Sequence, residues 1–483
     1  MWRVATKMLS NRTIFPAVQL NDGRILTSGG LNDSLSNNVT SAAELYSPST
    51  GQWIATNPMR QQRYYHTMTL LSNGKQVLVT GGHIFVNNTG VPLNTAEIYN
   101  ITSETWTSTS RPMPEKFGRH RATLLKNGRV LIVGGNVSKA YYYDANNSSL
   151  WIPTGPMTQS NRRAPTVTLL ADGRVLVTGG WTTPMIGLNT AEIYDPVNNT
   201  WRKTARNMTT GRVYHAAVRL NDSSVLIAGG YSDPVSLASA ELYFPSNDSF
   251  VKIANTAFGG VYSSLTLLSN GYVLLTSGGD ANGTCSAITQ LYNPSTRQWS
   301  NTSSLNYARE GNFAFVVSNG VFTCGGDNEG QVLNSCDLST ADSMSSTLEG
   351  YNQNSLQYQS SSNMSLVGSE FYESTTTQSD IALSSSNRSL INNIQERAPE
   401  VTLSSNISLM DISCSIPVCL TKGEIQDGHI VFDEYLHANN STGPENMFPE
   451  YIRLFPDHED GSENEKKVKE LSASLFHWDM QYV

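Results

Sequence analysis

A pair of adjacent glycines occurs seven times, beginning at positions 29, 81, 134, 179, 229, 278 and 325, at intervals of 45 to 53 residues. Each pair ends a short apolar run, such as Arg24-Ile-Leu-Thr-Ser, Val77-Leu-Val-Thr, Arg174-Val-Leu-Val-Thr or Val225-Leu-Ile-Ala. A second mark comes after a variable gap: Ala43-Glu-Leu-Tyr, Ala96-Glu-Ile-Tyr, Ala191-Glu-Ile-Tyr and Ala240-Glu-Leu-Tyr. A Trp comes next, at 53, 106, 151, 201 and 299, with Phe250 in its place once. A period near 50 residues, kept in phase, requires one supersecondary unit packed against copies of itself.

The unit reads as strands. Short β-branched runs alternate with turn residues, and no segment up to residue 340 keeps the 3.6-residue apolar period of a helix. Hairpin signals precede the Gly-Gly runs, as in Asn21-Asp-Gly, Asn127-Gly, Asp172-Gly and Asn270-Gly. A further turn separates the Tyr and Trp runs, as in Pro48-Ser-Thr-Gly. One repeat is therefore four antiparallel strands: A (such as His66–Leu71), B ending in Gly-Gly, C with the Tyr, and D with the Trp.

These marks resemble the kelch repeat over about residues 1–340. The resemblance implies an all-β fold, a kelch-type β-propeller with one four-stranded blade per repeat; the central propeller of galactose oxidase is a more distant likeness. The third copy departs mildly (Tyr141-Tyr-Tyr-Asp144), the fifth lacks its Trp, and the seventh has Cys336-Asp337-Leu338 where the Tyr belongs. That last copy has no D strand of its own. Trp2 and Met8 are spaced like Trp53 and Met59, so Trp2–Met8 is expected to supply it and close the ring without an open edge. Seven blades are expected, with six as the alternative.

Alternating strand direction puts the A–B and C–D turns on one face and the B–C and D–A connections on the other. The B–C connections vary most, so that face is the expected partner surface. Its D–A connections carry a column of arginines, Arg12, Arg63, Arg162, Arg212 and Arg309, broken by Phe117 and Gly260. Three positions on stand Phe15, His66, His120, Pro165, His215, Ser263 and Asn312. After each Gly-Gly come Leu31, His83, Asn136, Trp181, Tyr231, Asp280 and Asp327. Arginines around a mouth suit carboxylate or phosphate groups. Recurrence in every repeat equally suits pairing with Glu44, Glu97, Glu192 and Glu241 as a brace. Candidate partner-binding residues are thus the five arginines with His66, His83, His120, Trp181, His215 and Tyr231.

Propellers resembling galactose oxidase include copper enzymes, whose metal takes two His and two Tyr. Of the four propeller histidines, none sits in a Tyr-His pair placed as this resemblance places its ligand, and His66, His120 and His215 occupy a repeat position that suits packing. No phosphate loop, zinc-protease helix or nucleophile elbow appears. Cys414 and Cys419 have no second pair to complete a zinc module. No metal or cofactor is expected. Cys324 and Cys336 fall on neighbouring strands, and two buried thiols is the simpler expectation, a disulfide the other.

The net charge of −8 conceals two unlike parts: residues 1–340 hold 25 Lys and Arg against 19 Asp and Glu, whereas 341–483 hold 7 against 21. No dense basic block marks a nucleic-acid partner, and no apolar run is long enough to span a membrane. Nineteen Asn-x-Ser/Thr sequons suggest a glycosylated, extracellular protein, although the first residues lack the apolar core of a signal peptide. In 341–400, half of the residues are Ser, Asn, Gln or Thr, the composition of a disordered linker. The acidic tail 401–483 is expected to be mostly unstructured, with one short helix allowed over Lys466–Leu475. A tail of that charge could dock across the arginine-bearing face.

The expected function is that of a monomeric, non-catalytic scaffold holding a protein segment or a glycan on the B–C/D–A face. A propeller enzyme, oxidase-like or lyase-like, with its site at the channel mouth is the alternative. A ubiquitin-ligase substrate receptor is a third reading, without an adaptor domain ahead of the propeller to support it.

Overall fold

The computed structural model describes residues 1–340, apart from 34–37, 136, 138, 146–149, 183–185 and 319, together with the strands at 423–426 and 429–432. Among these residues every regular element is a strand. Seven four-stranded antiparallel sheets succeed one another, and six run A-B-C-D in chain order. Blade 2 is typical, with Thr67–Leu70, Gln76–Thr80, Ala96–Asn100 and Thr105–Ser108. In blade 7, Phe313–Val317, Gly320–Cys324 and Cys336–Thr340 are completed by Trp2–Ala5, with Trp2 opposite Ser339. The ring has seven blades and closes as the spacing of Trp2 and Met8 predicts; the six-blade alternative does not occur.

Strand B is the buried centre of each blade. Ile25–Ser28, Val130–Gly134, Val175–Thr178 and Val225–Ala228 are buried at every position, which is why these runs read as continuously apolar rather than alternating. On the C–D pair, the repeated Tyr and Trp are directly opposed: Tyr46 and Trp53, Tyr99 and Trp106, Tyr194 and Trp201, Tyr292 and Trp299. Their ring centroids lie 4.9–5.2 Å apart. Several of these indoles also reach the preceding blade, as Trp106 Nε1 does in donating to the Asn57 carbonyl and Trp299 Nε1 to that of Ala254. In blade 7, where Ser339 stands in the Tyr position, Phe322 takes over and stacks on Tyr46 of blade 1 at 4.0 Å.

The Gly-Gly pair is where blades meet. In all seven repeats a glycine N–H of the pair donates to a main-chain carbonyl in the next D–A connection, from Gly30 to Arg63 round to Gly326 and Arg12, at 2.7–3.0 Å. The approach leaves no room for a side chain. A Cβ on Gly29 would stand 2.5 Å from the Arg63 carbonyl, and Gly29 and Gly30 both have positive φ. The arginine that accepts at its carbonyl uses its side chain on its own blade. Arg63 Nη1 donates to the carbonyls of Gly81 and Thr95, and Nη2 meets Glu97 at 2.8 Å. Glu97 in turn accepts from the N–H groups of Arg60 and Gln61. Arg12–Glu44, Arg162–Glu192, Arg212–Glu241 and Arg309–Asp337 repeat the pattern at 2.7–3.1 Å.

Two blades lack the pair, and each lacks both halves of it. Blade 3 places Phe117 edge-on to Tyr141 at 5.9 Å, while blade 6 has Gly260 and the neutral Gln290, whose amide oxygen accepts from Ala257 N–H. Loss of both charges together is what a desolvated ion pair demands, since a lone buried charge is far costlier than none.

Cys324 and Cys336, opposite each other on strands B and C of blade 7, are joined as a disulfide across a Cα separation of 4.2 Å. This replaces the expectation of two buried thiols: facing positions on paired strands bring the sulfur atoms together. The chain divides into two units, and the propeller lies in the first. The second, Ser360–Lys467, includes an antiparallel strand pair, Gly423–Gln426 with His429–Phe432. The linker composition, the acidic run, the helix over 466–475 and tail docking fall outside the described residues.

Because the Arg63–Glu97 pair is fully desolvated, Arg63→Ala is expected to cost about 3–5 kcal/mol in urea unfolding by leaving Glu97 buried alone. The double change Arg63→Phe with Glu97→Tyr, which copies blade 3, should recover most of it. A loss for the single variant below about 1 kcal/mol, the range of exposed pairs, would contradict the brace.

Candidate functional site

The D–A connections and the starts of the A strands meet around the axis of the ring on the B–C/D–A face. There, the residue two places after each arginine column position adopts a left-handed backbone in all seven blades: Ile14, Tyr65, Arg119, Ala164, Tyr214, Tyr262 and Gly311, with φ between 47° and 66°. Six of the seven carry a side chain, in a conformation that costs about 1–2 kcal/mol for an L residue. Neighbouring members are tied by main-chain bonds, Tyr65 N–H to Ile14, Ala164 to Arg119, Tyr262 to Tyr214 and Gly311 to Tyr262. The turn recurs in all seven blades and so belongs to the scaffold, while the side chains it displays differ from blade to blade.

Five of these residues, Ile14, Tyr65, Tyr214, Tyr262 and Gly311, line a cavity of about 360 Å³. Tyr65, Tyr214 and Tyr262 line it with Arg121, Glu310, Asp327, Ser263 and Asn312. The Tyr65 and Tyr262 hydroxyls meet across the axis at 3.1 Å, and the Tyr214 ring stacks on Tyr262 at 4.3 Å. Burial, only partly offset by the nearby Arg119 charge, pushes the Tyr65 hydroxyl up to about 12. Arg119 lies over the Tyr65 ring at 4.7 Å, and Arg163 over the Trp181 ring at 4.5 Å.

The second variable column precedes the left-handed one. Thr13, Tyr64, Arg163, Val213, Val261 and Glu310 form bridges to Leu31, His83, Trp181, Tyr231, Gly279 and Asp327. Most B–C connections, expected as loops, rise from these bridges as small two-stranded ribbons, such as His83–Val86 with Thr89–Pro92 and Tyr231–Ser232 with Val235–Ser236. Trp181 and Tyr231 lie beside the mouth, buried in one cluster with Val213 and the cavity-lining Tyr214, and His83 is half-buried. Tyr231 donates to Asp233, and His83 packs against Tyr64 and Tyr65.

The other sequence candidates sit one layer further out or deeper. Arg12, Arg63, Arg162, Arg212 and Arg309 have no exposed surface and are committed to the glycine carbonyls and carboxylates of their own blades. His120 Nε2 lies 2.8 Å from Thr80 Oγ1, and His215 Nε2 lies 3.0 and 3.1 Å from Thr166 and Thr178, so each histidine ties its A strand to the preceding blade. His66 lines the cavity wall, as does His215. Tyr65, Arg119, Tyr214 and Tyr262 escape a reading of the sequence that selects columns that recur. Their signal lies in the opposite property, a position whose residue changes from copy to copy while its neighbours do not.

Against known proteins, the kelch motif model matches at 65–113 and 162–208. A galactose oxidase of Gibberella zeae is 26% identical over 185 residues, 33% of this chain and 25% of the relative. The chain thus spans about a quarter of the length of the curated relatives it matches. A fungal alcohol oxidase of the AA5 family, solved with copper, shares the fold at a TM-score of 0.58 with 15% identity, over 70% of this chain and 76% of that one. The structure of YjhT does so at 0.50 with 14% identity, over 62% of this chain and 99% of that one. This chain is a seven-bladed β-propeller with kelch motifs in its second and fourth blades.

The mouth of this propeller does not fit copper. The meeting hydroxyls of Tyr65 and Tyr262 have the Arg119 guanidinium over one of their rings; of the nearby imidazoles, His83 packs on the Tyr65 ring, while the buried His120 and His215 face threonine pairs. Among the described residues no three His, Cys, Asp or Glu side chains are placed to hold a metal ion.

Burial, reinforced by nearby arginines, holds the imidazoles of all four propeller histidines below their ordinary value, those of His83 and His120 at about 3. They are neutral in the folded protein, and an unfolded chain takes up protons on them below about pH 6.5. Stability is therefore complete above that value and falls as the pH drops. Urea unfolding at pH 5.5 should show a loss near 1.4 kcal/mol per histidine relative to pH 7.5, and His120→Gln should remove one histidine's share. An unchanged midpoint over this range would contradict the buried neutral state.

Proposed function

We propose that this kelch propeller is a non-catalytic scaffold that holds a protein segment or a glycan on the face bearing the B–C and D–A connections. The observation that carries the reading is the pair of variable columns at the mouth. Every neighbouring repeat position serves the ring itself, whereas the left-handed column presents Ile14, Tyr65, Tyr214 and Tyr262 on a strained backbone around a concave cavity and the column before it adds Thr13 and Glu310. Aromatic and arginine side chains in a preformed concavity are the usual material of recognition sites. The oxidase activity named for the relatives extends to this chain only as an alternative, and the arginine-flanked mouth weighs against it. The Cys324–Cys336 disulfide and the sequon density suit an oxidising compartment. Among the described residues no helix is long and apolar enough to cross a membrane.

The test uses the full chain in solution against glycan and peptide arrays, beside Tyr262→Ala and Trp181→Ala, and with Val197→Glu as a control on the exposed C–D turn of blade 4. Ligands should be lost at least tenfold from the two mouth variants and kept by the control. Equal binding by all four proteins would move the site off this face.

A further inference from the structure

The mouth concentrates positive charge on one side in a way the rest of the propeller avoids. The five repeat arginines each meet a buried carboxylate. Arg119, Arg121 and Arg163, all from blades 3 and 4 and all largely withdrawn from solvent, have no ion-pair partner among the described residues. Arg121 projects from strand A into the cavity and donates to the His120 carbonyl at 3.3 Å. Arg119 and Arg163 share the Trp181 ring, 6.0 and 4.5 Å from its centroid, and the Nε of each is buried without a hydrogen-bond partner. Arg119 and Arg121 face the same three tyrosines, Tyr65, Tyr214 and Tyr262. The Arg119 and Arg163 charges repel each other, and burial disfavours the Arg121 charge, which meets tyrosines rather than a carboxylate. Such an arrangement stores a positive potential that an incoming anion relieves, and guanidinium groups bind carboxylates in a two-pronged geometry.

The remaining walls narrow the class of anion. Opposite the arginines the cavity is lined by Glu310 and Asp327, with Ser263, Asn312 and Thr13 beside them. Carboxylates and small polar groups accept from and donate to hydroxyls, and they disfavour a ligand that is acidic along its whole length. The stacked Tyr214–Tyr262 pair offers an aromatic face for the C–H side of a ring, and about 360 Å³ accommodates one or two monosaccharide units. Resting on the binding role given to this face, we propose that the cavity takes a hexuronate unit of an acidic saccharide, its carboxylate held by Arg121 and its hydroxyls by the Glu310–Asp327 side.

The test is calorimetric titration of the full chain with digalacturonate, with the neutral digalactoside, with an acidic hexapeptide and with sodium sulfate. Digalacturonate should bind at least tenfold tighter than the neutral sugar, weaken with added salt, and lose at least tenfold in affinity in Arg121→Gln, with partial return in Arg121→Lys. Because Arg121 lacks a carboxylate partner, Arg121→Gln should unfold at the same temperature as the parent or higher, so lost binding cannot be laid to misfolding. Equal binding of the neutral sugar, indifferent to Arg121, would overturn the anionic class while leaving a glycan scaffold in place. Preference for the peptide, or sulfate as the one ligand bound, would overturn the saccharide. Failure of all four probes, with array ligands still lost in Tyr262→Ala, would overturn the hexuronate and spare the scaffold.

Discussion

The structure depends on one node, repeated around the ring, in which a D–A connection serves two blades at once. Its backbone carbonyl receives the glycine N–H of the blade before it, and its arginine side chain clamps the glycine carbonyl and the glutamate of its own blade. Neither half works alone. Without the glycines the carbonyl cannot approach; without the carboxylate the guanidinium would be a lone charge in a dry interior. Blades 3 and 6 bear this out by changing both partners together while keeping the main-chain contact.

Anchoring at the node frees the two residues just beyond it to vary. With the arginine fixed on one side and the A strand on the other, their backbone is imposed, and the chain turns through the left-handed region whatever the side chain. The scaffold thereby supplies seven equivalent seats around the axis. The chain fills them differently, with tyrosines in blades 2, 5 and 6, an arginine in blade 3, Ile14 and Ala164 in blades 1 and 4, and a glycine at the last. Rigidity of the ring and variety at its mouth have the same origin.

Charge obeys the same division. In the body of the propeller, buried cations are matched one to one with carboxylates, and imidazoles are kept neutral by burial and nearby arginines. At the mouth the matching is abandoned for Arg119, Arg121 and Arg163, and aromatic faces take the place of counter-ions for two of them. A surface selected only for stability would not keep three such groups adjacent.

Much of this was legible in the residues. Seven in-phase Gly-Gly pairs with Tyr and Trp marks dictate stacked four-stranded units, and the spacing of Trp2 and Met8 discloses closure by the first strand, because these patterns are local and period-bound. The pairing of Arg63 with Glu97 was also foreseeable as one of two uses for a recurring cation. The mouth was not, because the left-handed turn at Tyr65 or Tyr214 has no local sequence cause; it is imposed by contacts from the next blade. Likewise, the Tyr65–Tyr262 contact spans residues 197 apart in sequence, and the disulfide depends on strand register in blade 7. The sequence by itself determined the blade, its number and its closure, since each is written within one repeat. Which side chains converge at the axis was decided only by the tertiary structure, since convergence arises when the ring shuts and sets residues of distant repeats face to face.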